Sequence, residues 1–66
     1  MVQKIIEVVG SSKRNFAEAA ANGVAEAAKT VRDLKWARVT QEELRLGGKG
    51  ISEYLVTLKI YFDVER

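Results

Sequence analysis

The sequence predicts an α+β domain in the order β-α-β-β, a three-stranded sheet with one helix. Three observations carry this. Residues 51–64 alternate apolar and polar side chains almost without a break. An alanine-rich stretch after Asn15 repeats its apolar residues at spacings of three and four. Gly47-Gly48-Lys49-Gly50 then marks a tight connection between the two later strand-like runs.

Each element follows in turn. Val2 to Val9 is rich in Val and Ile and reads as a strand stopping at Gly10. Ile6 and Val8 point one way, Ile5 and Val9 the other, with Glu7 interrupting the second face. Gly10-Ser11-Ser12 then opens a helix, with a serine as its cap. The helix runs from Asn15 to about Arg32, with Phe16, Ala20, Val24, Ala27 and Val31 on one face. Gly23 inside it costs about 1 kcal/mol against Ala. It marks either a close approach to the sheet or a tolerated defect.

Leu34 to Leu46 reads as the second strand and Ile51 to Val64 as the third. Tyr54, Val56, Leu58, Ile60, Phe62 and Val64 form one buried face of the third strand. A simple hairpin across residues 47–50 sets Leu46 opposite Ile51 and Trp36 opposite Tyr61. Opposed residues share a face. Trp36, Leu44, Leu46, Leu55 and Tyr61 then lie away from the helix, while Ala37 and Val39 face it; a bulge would shift this register.

Sixty-six residues form one domain, 1–66. Such a chain buries only about 60% of the surface its unfolded form exposes. With no Cys and no His, disulfides, thiolate zinc sites and the commonest metal ligand are all missing. Oligomerisation is then the expected source of extra burial. The same absences remove the usual general base and the strongest nucleophile, so no enzyme is expected and no catalytic residue is assigned. A net charge of +2 is too weak a field to suggest a nucleic-acid partner. No apolar run approaches the length of a membrane span, and no signal-peptide core opens the chain. The expected location is the cytoplasm.

Two features have plain readings. Glu42 and Glu43 are adjacent, so a strand points them to opposite faces and they make no metal site alone. Residues 47–50 lack the strand-to-helix setting and following hydroxyl of a phosphate loop. The face carrying Trp36 is different. An exposed Trp with several Leu and a Tyr is an apolar patch, suited to subunit packing or to a flat aromatic ligand stacked on Trp36.

The chain resembles the dodecins over essentially its whole length. The resemblance rests on Val8-Val9-Gly10-Ser11-Ser12, the Ala-rich helix, Lys29-Thr30-Val31-Arg32, Leu34-Lys35-Trp36-Ala37-Arg38-Val39 and Tyr54-Leu55-Val56-Thr57-Leu58-Lys59-Ile60. It implies a three-stranded antiparallel sheet partly wrapping the helix, and a hollow homo-dodecamer. It also implies pairs of flavins held between tryptophans of neighbouring subunits, with Trp36 as the stacking residue. The implied role is storage, buffering and photoprotection of riboflavin-type ligands, with no turnover and no nucleic acid or membrane as partner.

The sequence departs from the family at three positions. The residue after the last strand's tyrosine is usually a glutamine, whose amide meets the polar edge of the flavin; here it is Leu55. An unpaired buried polar group costs roughly 1–3 kcal/mol, or about one to two decades of affinity. Many bacterial members carry an arginine seven residues after the tryptophan and another near the chain end, associated with phosphate-bearing ligands. Glu43 and Asp63 stand there instead and favour riboflavin over FMN. Arg45 lies nearby on the same side as Glu43, which predicts a local ion pair. Trp36, Leu55 and Arg45 are thus the candidate ligand residues. The alternative is a dodecin-like assembly whose ligand is another aromatic molecule or an ion.

Overall fold

The computed structural model describes residues 2–64. Strand β1 spans Gln3–Ser12, helix α1 Phe16–Ala28, β2 Leu34–Gly47 and β3 Gly50–Asp63. The sheet is antiparallel in the order β1-β3-β2, so the last strand is central and β2 is a free edge. No helix among the described residues is long and apolar enough to cross a membrane.

The alternation of β3 organises the core. Val56, Leu58 and Ile60 are buried under Ala19 and Ala27 of the helix, with Ile6, Val8, Phe16, Val24 and Tyr54 packed around them. Phe16 meets Tyr54 edge to face at 5.2 Å, closing the core at the helix N-terminus.

Three boundaries differ from the sequence reading. Strand β1 does not stop at Gly10, because Gly10, Ser11 and Ser12 continue the ladder against Val56, Leu55 and Tyr54. Gly10 serves the helix contact instead. A β-carbon there would collide with the Ala19 carbonyl and lie 2.7 Å from the Gly23 amide nitrogen. A β-carbon on Gly23 would lie 2.8 Å from Leu58 Cδ1. Gly23 therefore marks a close approach, at which helix and strand backbones touch.

The cap is Asn15, whose Oδ1 accepts from the Glu18 amide at 2.7 Å. Ser12 Oγ instead accepts from the Arg14 amide and donates to Glu18 Oε2, bracing the turn before the helix. The helix ends at Ala28 and not near Arg32. The amides of Thr30 and Val31 both return to the Ala27 carbonyl, and Asp33 at φ 60° turns the chain into β2. Val31 thus leaves the helical face.

A 13-residue helix is about 20 Å long, whereas each 14-residue hairpin strand reaches about 46 Å. The hairpin therefore runs well past the helix, and the molecule measures 51 × 19 × 13 Å. The helix covers β1 and β3 and barely reaches β2. The chain exposes 4910 Å². A compact protein of 7.4 kDa exposes about 4200 Å².

Candidate functional site

Trp36 and Tyr61 are directly opposed across β2 and β3, as the turn position predicts. Three irregularities interrupt the pairing between the strands, with Lys35, Thr40 and Ser52 left over. Two are fixed by their own hydroxyls. Thr40 Oγ1 donates to the Thr57 carbonyl at 3.3 Å, and Ser52 Oγ to the Arg45 carbonyl at 3.0 Å.

Between these two bulges the register is displaced by one residue. Glu43 faces Leu55, and Leu44 faces Tyr54. Leu44 consequently lies on the helix side of the sheet, and Leu46, two residues on, follows it. This corrects the expectation that both lie with Trp36. They extend a second apolar surface, beyond the helix, in which Val39, Leu44, Leu46 and Ile51 are exposed. Val39 faces the helix side as expected, yet no helix covers it.

The helix-free face reads in rows. Ile5, Tyr61 and Trp36 form one; Glu7, Lys59 and Arg38 the next; then Val9 and Thr57; then Ser11, Leu55 and Glu43. Arg45 and Glu53 follow toward the turn. Ile5 is 52% exposed, Val9 63% and Trp36 46%, so apolar side chains lie uncovered on this face between the charged rows.

The Trp36 indole lies against the Tyr61 ring, centroids 4.4 Å apart and planes 10° from parallel. Tyr61 belongs to the central strand and Trp36 to the edge. One ring face is therefore occupied, and the other is turned off the free edge of the sheet. Arg38 Cζ sits 5.9 Å from the centre of the Tyr61 ring, a cation–π contact that sequence reasoning missed. The available signal was its spacing: two residues after Trp36 on a strand is the same face.

The other candidate residues are not brought to Trp36. Leu55 lies six residues from Tyr61 along β3, about 20 Å away. A ring stacked on Trp36 therefore does not lie against Leu55 of the same chain. Arg45 is farther still, and its Nε donates to Glu53 Oε1 at 3.0 Å across the hairpin. That replaces the predicted pair with Glu43. Glu43 stands beside Leu55, and Asp63 is engaged by Gln3 at 3.0 Å and Lys35 at 3.9 Å. Among the described residues no three Asp or Glu side chains gather as a cation site.

Comparison with known proteins agrees over the whole chain. The family model described as Dodecin matches residues 2–65. The dodecin of Thermus thermophilus is 36% identical over 64 residues, covering 97% of this chain and 93% of that one. A crystal structure from the same organism superposes with a TM-score of 0.94 at 35% identity, covering 98% of this chain and 96% of that one. A protein of Mycobacterium tuberculosis named calcium dodecin is 31% identical over 61 residues, covering 92% and 86%. With sequence, length and strand order in agreement, the chain belongs to the dodecin family.

Proposed function

We propose that this protein is a non-enzymatic, cytoplasmic flavin-binding protein that stores and shields riboflavin-type ligands inside a homo-oligomer, a dodecamer by analogy with its family. The observation carrying this is the Trp36 indole, braced on one side by Tyr61 and open on the other at the sheet edge. A flat, electron-poor ring fits that open face, and a stacked indole quenches the ring's excited state. Offset stacking contributes about 0.5–1.5 kcal/mol beyond burial. Self-association is supported by the surplus exposed surface, roughly 700 Å² beyond the compact expectation, close to one side of a standard interface. It is also supported by the roughly 20 Å of strand that separates Leu55 from the Trp36–Tyr61 pair, which favours an intermolecular site for a ligand using both.

A titration of riboflavin with the purified protein, read by flavin fluorescence, tests the reading. Saturable quenching near one flavin per chain is expected, lost in Trp36→Ala while the assembly persists by light scattering. If Trp36→Ala dissociates into subunits, Trp36 is an interface residue. If the parent protein leaves the fluorescence unchanged to high micromolar concentration, flavin is not the ligand.

A second reading is an assembly that has exchanged its flavin for another aromatic molecule or an ion. Leu55 favours it, because an aliphatic side chain cannot pair a flavin's polar edge. The calcium dodecin among the relatives is consistent with variation in ligand. A heat signal on calcium addition, without flavin quenching, would move the assignment there.

A further inference from the structure

The chain has two asparagines, Asn15 and Asn22, and the second is followed by a glycine. That order is chemically labile in an unfolded chain. The backbone nitrogen after an asparagine attacks the side-chain amide, and a glycine there has no side chain to obstruct it and leaves the backbone free to turn. Asn15 is followed by Phe16, whose side chain hinders the same approach.

The fold opposes this step at both reacting atoms. Asn22 and Gly23 sit in the middle of α1. A helical ψ of about −42° keeps the asparagine side chain away from the next backbone nitrogen. As a helical residue, Gly23 commits its N–H to the Ala19 carbonyl. Gly23 is also buried, with the Gly10 backbone of β1 packed against its nitrogen. The side-chain amide is tied separately: Asn22 Nδ2 donates to the Ser11 carbonyl at 2.9 Å. Gly10 and Ser11 are consecutive, so one short stretch of β1 holds both the attacking atom and its target.

We infer that Asn22 is a deamidation site kept silent by the seating of α1 on β1, so that it is converted only while the helix is off the strand. The step needs water and no other reactant. The Gly23 nitrogen gives up its proton and bonds to Asn22 Cγ, the Cγ–Nδ2 bond breaks, and ammonia leaves with that proton. Water then opens the cyclic imide at either carbonyl and leaves aspartate or isoaspartate at position 22. Either product damages the seat. A carboxylate cannot donate to the Ser11 carbonyl and meets it oxygen to oxygen. Isoaspartate also adds a methylene to the backbone beside Gly23, where helix and strand leave no room. Conversion therefore runs one way: a chain that has spent time open carries the mark and reseats poorly. The site is independent of whatever ligand the protein holds.

Peptide mass spectrometry follows the reaction in the folded protein and in the chain unfolded in guanidinium chloride, at one mildly alkaline pH and one temperature. The unfolded chain should lose ammonia at Asn22 ahead of Asn15. The folded protein should do so at least about a hundredfold more slowly. Gly10→Ala should speed the reaction in native buffer in proportion to the stability it loses, about five- to a hundredfold. Should that variant not fold, the parent protein below its unfolding midpoint serves instead, its rate climbing with denaturant as the open population does. After dilution from denaturant, chains modified at position 22 should be depleted from the refolded fraction. Equal rates in folded and unfolded chains, or faster conversion of Asn15, overturn the site. A rate that ignores both Gly10→Ala and denaturant overturns the seat as its lock. Full recovery of modified chains in the refolded fraction overturns the one-way consequence.

Discussion

Trp36 and Tyr61 lie ring to ring, 4.4 Å between centroids, on strands whose register is displaced for several residues nearer the turn and restored before reaching them. The pair makes Tyr61 a positioning residue. It fixes the plane of a half-exposed indole on the edge strand of the sheet.

Removing that support should loosen the indole. Tyr61→Ala is expected to weaken riboflavin binding up to about tenfold, the upper end of what an aromatic pair contributes. Tyr61→Phe should restore it. Tryptophan fluorescence anisotropy is the independent check, because a merely structural role would leave indole mobility unaltered.

Leu55→Gln should tighten riboflavin binding by about ten- to a hundredfold if the flavin's polar edge is otherwise unpaired. Titration of the variant beside the parent decides it. Weaker binding would remove the argument that Leu55 limits affinity.

Gly10→Ala places a methyl group against the Ala19 carbonyl and the Gly23 backbone. Neither can move without shifting the helix, so a loss of about 1–3 kcal/mol is expected by denaturant unfolding. An unchanged midpoint would mean that the helix rides freely over β1.

Asn15→Ala removes the side-chain acceptor of the Glu18 amide and should cost about 1 kcal/mol. Ser12→Ala should leave that capping bond in place while losing the brace to Glu18. Equal helix loss in both variants, followed by circular dichroism, would contradict the assignment of the cap to Asn15.

The element order and the buried face of β3 were legible because period-two alternation is a long signal, carried by Val56, Leu58 and Ile60. The Trp36–Tyr61 pairing was legible for a less direct reason. Ser52 adds a residue to β3 and Thr40 adds one to β2, so the displacements cancel before Trp36. Between the bulges, counting back from the turn misplaces Leu44 and misses Arg45–Glu53. A serine or threonine that stabilises a bulge looks like any other strand residue until its hydroxyl finds a carbonyl on the partner. Gly10 misled for a related reason. A glycine that ends a strand and one that admits a helix backbone are the same letter, and only the opposing Gly23 distinguishes them.

The contact between Gly10 and Gly23 also acts as a mechanical stop. Backbone against backbone leaves the helix no room to slide along β1, so the helix end under Tyr54 is a fixed origin on the sheet. The length of hairpin beyond that origin then follows the number of opposed pairs, the Ser52 bulge adding a residue to β3 but no pair. Deleting one opposed pair from the arm shortens its reach by about 3.4 Å and turns every later side chain over, whereas deleting two preserves the faces and shortens it by about 6.8 Å. The arm is a ruler with a two-residue division, graduated independently of the core that holds it.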